Sequence, residues 1–177
     1  MSVRSIYKML TYKRPAGSST EKRFISRFLK PLDLTQDRAG NLYKRIGDAP
    51  ILYSCHTDTV HRLAGMQILS TPGNIIKIHP KESSNCLGAD DGAGVWLMRE
   101  MILKQKPGLY VFHRGEERGG IGSRWLTKHT PELVKGIKAA IAFDRRSTGS
   151  IITHQIGGRC CSENFSHLLK EIRLLTW

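Results

Sequence analysis

The sequence is short of acidic side chains, with 15 aspartates and glutamates against 28 lysines and arginines in 177 residues. The resulting net charge of +13 is compatible with nucleic acid or an acidic partner. The sequence lacks, however, a long basic run and the basic–aromatic interleaving of single-strand binders. The basic residues instead form scattered pairs, such as Lys13-Arg14, Lys22-Arg23 and Arg145-Arg146. A solvated basic surface is therefore the favoured interpretation, and nucleic-acid association ranks third among three functional hypotheses.

A membrane span and an export signal are also missing. No apolar stretch approaches the roughly 20 residues that cross a bilayer. Residues 1–14 are basic but lack the continuous apolar core of a signal peptide. These absences predict a cytoplasmic protein. The composition, 40% hydrophobic and 24% charged, is ordinary for a globular chain, and we expect one domain over residues 1–177.

Cysteine is scarce, and its spacing carries no metal motif. The four cysteines are Cys55, Cys86, Cys160 and Cys161. No C-x-x-C spacing occurs, which argues against a cysteine zinc site. Two of the four are adjacent and no export signal is present, so we expect reduced thiols with structural or incidental roles.

Hydrophobic periodicity predicts helices that alternate with strands. Helices are expected over 20–30 with Thr20 as N-cap, over 92–104, from 121 to 128, and over 163–175. Strands are expected over 49–54, 108–113, 138–143 and 150–154, with a turn at 37–43 and a hairpin around Pro72-Gly73. This order indicates the α/β class, a three-layer α/β/α sandwich with a mixed, mostly parallel sheet. In such sheets functional groups gather at the carboxyl ends of the strands.

The few carboxylates concentrate in four motifs at predicted strand ends and a helix start: His56-Thr-Asp58, Asp90-Asp91, Glu116-Glu117 and Asp144. Residues two apart on an extended segment point the same way, so Asp58 can fix the tautomer of a metal-binding His56. Singly, each motif has a simpler interpretation, such as a helix cap at Asp90 or Asp91 or an exposed acidic turn. Together they supply imidazole and carboxylate ligands, which suit Zn²⁺, with Co²⁺ or Mn²⁺ as alternatives.

In this order the motifs resemble the co-catalytic zinc exopeptidases, which include peptidase T, glutamate carboxypeptidase and the leucyl-type aminopeptidases. The family pattern is H-x-D, then A-D-D or A-D-N before a small-residue helix, then E-E, then an aspartate or glutamate at a strand end. It is matched over roughly residues 50–150 by His56-Thr-Asp58, Gly88-Ala-Asp90-Asp91, Glu116-Glu117 and Asp144. The Gly-Ala-Asp-Asp-x-Ala-Gly string resembles the peptidase T branch most.

The resemblance implies a site with two Zn²⁺ ions about 3.5–4 Å apart. In it, His56 and Asp144 would bind one metal, Glu117 would bind the other, and Asp90 would bridge the two. The family also implies a cis peptide bond between Asp90 and Asp91.

The resemblance further implies the chemistry. Glu116 would be the general base for a metal-bridging water and would later protonate the leaving amine, while Asp58 would orient the histidine ligand. The implied activity is that of an aminopeptidase or a di- or tripeptidase acting on a peptide or small amide. Deacylases use sites of the same type, so the sequence leaves the substrate open.

One histidine of the family pattern has no counterpart. It should lie well downstream of Asp144, but 33 residues follow that position (177 − 144), and His154 and His167 lack the expected context. We therefore expect the catalytic domain to be incomplete at its C-terminus. The leading hypothesis is a metal-dependent exopeptidase, and the alternative is a catalytically impaired remnant or binding module of the same fold.

Overall fold

The computed structural model describes residues 3–147 and 149–174, which divide between Asp144 and Arg145 into two compact units. The first unit has helices α1 (Val3–Leu10), α2 (Ser19–Phe28), α3 (Ala89–Leu103) and α4 (Ile121–His129). Its strands are β1 (Tyr12–Lys13), β2 (Thr35–Gln36), β3 (Leu42–Ile46), β4 (Ile51–His56), β5 (Gly65–Met66), β6 (Leu69–Ser70), β7 (Lys77–Ile78), β8 (Gly108–His113) and β9 (Ala139–Ala142). The second unit has β10 (His154–Gln155), β11 (Gly158–Arg159) and α5 (Glu163–Leu174). The single domain expected over residues 1–177 stays a prediction.

A five-stranded sheet in the order β2-β3-β8-β4-β9 forms the centre of the first unit. Strands β8, β4 and β9 run parallel to one another, whereas β3 is antiparallel to β8 and β2 is antiparallel to β3. The predicted α/β class with a mixed sheet is therefore confirmed.

Strand β8 is buried on both faces, and its alternating side chains separate two cores. Tyr110 and Phe112 pack in the larger core with residues of α2 and α3, including Phe24, Phe28, Val95 and Met98. Leu109 and Val111 point to the other face and pack against Leu126 of α4. Helices thus cover both faces of the sheet, in agreement with the predicted three layers.

Helix α2 begins earlier than predicted. Its N-cap is Ser18, whose hydroxyl accepts a hydrogen bond of 3.1 Å from the amide of Glu21, so the prediction of Thr20 was wrong. Ser18 and Glu21 have the spacing of a capping box, in which the cap residue bonds to the amide three positions on. Thr20 is instead buried, and its hydroxyl accepts a bond of 2.7 Å from the amide of Gly65.

The second unit differs from the prediction in its strand. A strand was expected over 150–154, but only His154 is in one, and β10 pairs with β11 as a hairpin. The reason is local, because Ile156 and Gly157 both have positive φ and form a two-residue turn that fixes this register. Helix α5 begins at Glu163 as predicted, while position 175 lies outside the described residues.

The structure also bears on the predicted turns, the cysteines and the absence of a membrane-spanning helix. The turn predicted at 37–43 covers residues 37–41 and joins β2 to β3, whereas Leu42 and Tyr43 already belong to β3 and pair with β2. The hairpin around Pro72-Gly73 joins β6 to β7. The four cysteines carry free thiols. Among the described residues, no helix combines the length and apolar character that crossing a bilayer needs.

Candidate metal centre

The carboxyl ends of three parallel strands meet at one edge of the sheet and carry the predicted site residues. His56 is the last residue of β4, and Asp144 lies two positions beyond the end of β9. Glu116 and Glu117 follow β8 in a short 3-10 turn. Asp90 lies at the start of α3, which packs against β4. The fold therefore brings five dispersed positions to one place, as a doubly covered sheet does at its strand ends.

One group of donors consists of His56, Asp90 and Asp144. Nε2 of the His56 ring lies 3.0 Å from Oδ1 of Asp90 and 3.9 Å from Oδ2 of Asp144. One ligand atom from each residue lies within 4.8 Å of the other two. The imidazole is buried, whereas the carboxylates of Asp90 and Asp144 are 70% and 39% exposed. This combination offers a fixed nitrogen donor and two oxygen donors that solvent can reach.

A second group consists of His56, Glu116 and Glu117, whose ligand atoms also lie within 4.8 Å of one another. His56 is therefore common to both groups. The two glutamates are placed by Asp58, whose buried carboxylate accepts hydrogen bonds of 3.1 and 3.2 Å from their two backbone amides. The sequence pattern does not predict this contact, because it joins positions 58 residues apart.

The orientation of the His56 ring is fixed by contacts at Nδ1, the nitrogen that does not face Asp90 and Asp144. Nδ1 lies 3.1 Å from the backbone oxygen of Asp58 and 3.6 Å from its carboxylate, so the neutral ring can donate from Nδ1 and leave Nε2 free to bind a metal. Burial opposes protonation of this ring, but the Asp58 carboxylate and the charges of Asp91 and Asp144 outweigh it and raise the pKa of His56 to about 9. Conversely, burial opposes ionisation of Asp58, yet His56 and the neighbouring amides keep the pKa of Asp58 below its usual value.

The donor set fits a divalent cation. Burial and then the neighbouring Asp90 raise the pKa of Asp144, and the same two causes raise that of Glu117. Carboxylates that hinder one another's ionisation need a counter-charge, which a bound divalent cation supplies. One imidazole with several carboxylate oxygens also matches the donor preference of Zn²⁺, Co²⁺ and Mn²⁺.

Asp91 has a different role from Asp90. Its carboxylate is 1% exposed and accepts one hydrogen bond from the amide of Gly94 and another, of 3.2 Å, from the amide of His56. The side chain thus ties the first turn of α3 to the end of β4. Burial raises the pKa of Asp91 to about 8. Asp90 and Asp91 have non-helical φ and ψ, so the regular turns of α3 begin after Asp91, and the bond of Asp91 to the Gly94 amide caps them, as the simpler interpretation expects. The bond to β4 is an addition that sequence reasoning missed.

Asn41 is a second residue that sequence reasoning missed. It is fully buried, accepts a bond of 3.1 Å from the amide of Arg114 and donates one of 3.0 Å to the carbonyl of Gly122. Arg114 begins the loop that carries Glu116 and Glu117, and Gly122 lies in the first turn of α4, which follows that loop. A turn asparagine gives no sequence signal for such a contact, because its partners follow from the pairing of β3 with β8.

Comparison with known proteins identifies the fold. No protein-family model and no curated protein sequence matches the chain. Among solved structures, the aminopeptidase PepT from Bacillus cereus ATCC 10987 is similar, with a TM-score of 0.61 and 23% sequence identity over 82% of this chain. The chain has the PepT fold. It spans 43% of the length of that aminopeptidase.

The resemblance drawn from the motifs is thus confirmed for the fold. In this structure all six predicted site residues lie at one end of the sheet, and the peptide bond between Asp90 and Asp91 is cis. The metal and base roles of these residues, and the expected C-terminal incompleteness, stay predictions. His154 and His167 are exposed and belong to the second unit, and in the part of the chain described here neither donor group contains a histidine besides His56.

Proposed function

We propose that the chain carries the metal-binding and general-base residues of a metal-dependent exopeptidase. The substrate would be a peptide or a related small amide, hydrolysed as an aminopeptidase or a di- or tripeptidase does. The observation that carries the proposal is the convergence of two donor groups on the single ring of His56, within 4.8 Å. The PepT fold supports the same class of chemistry, because the similar solved structure is an aminopeptidase.

The proposed metal ligands are His56, Asp90 and Asp144 from the first donor group and Glu117 from the second. Zn²⁺ is the expected ion, two per site. Bound there, it would polarise the scissile carbonyl and lower the pKa of the attacking water.

Glu116 is the proposed general base. Its amide is fixed by Asp58, and its exposed carboxylate lies beside the His56 ring, where a water and a substrate carbonyl can approach. In the reaction, Glu116 accepts a proton from water as the water oxygen attacks the amide carbon. The same carboxyl then gives that proton to the leaving nitrogen as the C–N bond breaks, so the products are a carboxylic acid and an amine.

Replacing this carboxylate tests the proposal directly. We expect Glu116→Gln to lower the hydrolysis of aminoacyl and dipeptide substrates by roughly 10²–10⁴-fold, because the amide cannot take up the proton. Metal content, measured by elemental analysis, should not change. The matched control is Glu132→Gln, an exposed glutamate in the turn after α4, which should retain full activity.

The outcomes also separate the alternative function. Loss of metal together with activity in Glu116→Gln would contradict the role of general base. A wild-type chain that binds metal but hydrolyses none of the substrates would favour a metal-binding module of the same fold. That alternative is motivated by the donor group of Glu117, which in the described residues has no second histidine.

A further inference from the structure

Arg14 is fully buried, although the scattered basic pairs, Lys13-Arg14 among them, predict a solvated surface. A buried guanidinium is rare and has to be compensated by partners. Burial lowers the pKa of Arg14 to about 10, against the opposing effect of Asp91, Glu21 and Asp58. The side chain is therefore a cation at neutral pH, placed among buried carboxylates.

The guanidinium donates hydrogen bonds to three separate segments of the chain. Nε donates to the carbonyl of Thr57 at 2.9 Å, and one terminal nitrogen donates to the carbonyl of Gly88 at 3.3 Å. The other terminal nitrogen lies 3.5 Å from the carbonyl of Met9. The face of the group rests on the Phe24 ring, 4.2 Å from its centroid, which is a cation–π contact.

Two of these segments carry candidate metal ligands. Thr57 lies between His56 and Asp58, and Gly88 lies two positions before Asp90. The backbone of Arg14 holds the same first segment, because its carbonyl accepts a bond of 2.9 Å from the amide of Thr59. One residue of the N-terminal part of the chain thus joins the loop after β4 to the turn before α3.

We propose that Arg14 is a positioning residue that keeps the His56 loop and the Asp90 turn at the separation that divalent-cation binding requires. The proposal rests on the proposed function, since it assumes that these loops bind a cation. A planar guanidinium can donate in two directions at once, whereas a lysine ammonium is a single point at the end of a flexible stem. Lysine would keep the charge of Arg14 and lose the bridge.

The experiment titrates Co²⁺ into metal-free wild-type protein and into Arg14→Lys. Affinity is measured by calorimetry, and ligand geometry by the visible absorption spectrum of the bound ion. We expect Arg14→Lys to bind Co²⁺ roughly 10–100-fold more weakly, the usual effect of losing a group that orients ligands, and to show an altered spectrum. The matched control is Arg27→Lys, an exposed arginine whose guanidinium lies over the Phe28 ring at 5.6 Å, and it should match wild type in both.

Two further variants separate positioning from stability. Phe24→Leu removes the ring beneath the guanidinium but leaves every donor of Arg14 in place, and should weaken Co²⁺ binding in the same direction. Leu109→Ala truncates the core at the far end of β8. It should lower the unfolding temperature without changing the Co²⁺ affinity or spectrum.

The results distinguish this proposal from the proposed function. If wild type binds Co²⁺ and a folded Arg14→Lys binds it with equal affinity and the same spectrum, Arg14 is a structural residue only and the proposal is overturned. If Arg14→Lys does not fold, an unchanged affinity in Phe24→Leu overturns it. If wild type binds no Co²⁺, the metal site itself fails, and the role of Arg14 fails with it.

Discussion

Among single residues, His113 shows how burial next to the candidate centre changes a titration. It ends β8 and pairs in register with His56 on β4. Burial, followed by the charge of His56, lowers the pKa of His113 from 6.5 to about 4, with Asp37 opposing. Its Nδ1 is buried and has no hydrogen-bond partner among the described residues. The folded protein therefore holds this ring neutral under conditions in which the unfolded chain would protonate it.

Acid should therefore destabilise the fold through His113. Between pH 6.5 and about 4 the unfolded state binds a proton there that the folded state does not, so the free energy of unfolding falls as the pH falls. The effect reaches about 3 kcal/mol at the lower limit. His113→Gln removes this proton site. Denaturant unfolding gives the free energy of unfolding of both proteins at each pH in this range. As the pH falls, that free energy should decrease less in the variant than in wild type, and an equal decrease in the two proteins would refute the role of His113.

The residues that could be predicted from sequence are those whose side chains are themselves metal ligands or proton acceptors. His56, Asp90, Glu116, Glu117 and Asp144 could be selected because imidazole and carboxylates at strand ends are few in this chain. Arg14, Asn41 and the bond from Asp91 to the His56 amide could not, because the contacts that connect them to the segments of the site span 35 to 81 positions. Such contacts exist only after the strands are paired, and no local pattern encodes them.

At the scale of elements, the start of α3 depends on a close approach between its own residues. A methyl group at Gly94 would collide with the carboxylate of Asp91, which the Gly94 amide binds at 2.9 Å. Asp91 in turn holds the amide of His56. Glycine at this position thus allows the helix to be tied to the strand that carries the ligand.

Gly94→Ala should consequently destabilise the protein, contrary to helix propensity. In an open helix, alanine in place of glycine raises the free energy of unfolding by up to about 1 kcal/mol. Here we expect a loss of about 1–3 kcal/mol, because the methyl displaces a packed carboxylate. Ala93→Gly, at the exposed neighbouring position, measures the effect of propensity alone. Thermal or denaturant unfolding measures the change in stability. A Gly94→Ala protein as stable as wild type would show that the Asp91 carboxylate can move aside without loss.

Longer elements were easier to predict than short ones. Strand β8 and helix α3 contain enough apolar residues at regular spacing for their secondary structure to be recognised from the sequence. Both lie close to their predicted positions. Strands β1 and β5 are two residues each and pair with one another, so neither has a period of its own. The same holds for β10, where a two-residue turn rather than an apolar run decides which residues pair.

For the whole molecule, the distribution of charge matters more than its sum. The chain has a net charge of +13, yet four carboxylates converge on the His56 ring within its two donor groups. A basic protein that gathers its scarce acids at one sheet edge concentrates negative potential there, which favours cations locally. The PepT fold supplies the geometry, because three parallel strands end at that edge.

The most direct measurement is the divalent-metal content and Zn²⁺ titration of wild type beside His56→Ala. Because His56 supplies the nitrogen donor of both groups, His56→Ala leaves only carboxylate oxygens in them, and tight binding of Zn²⁺ should be lost. Wild type should bind Zn²⁺ and unfold at a higher temperature when loaded, since ligation is coupled to folding. A wild-type protein that takes up no metal, or a His56→Ala protein that binds as wild type does, would contradict the existence of this centre.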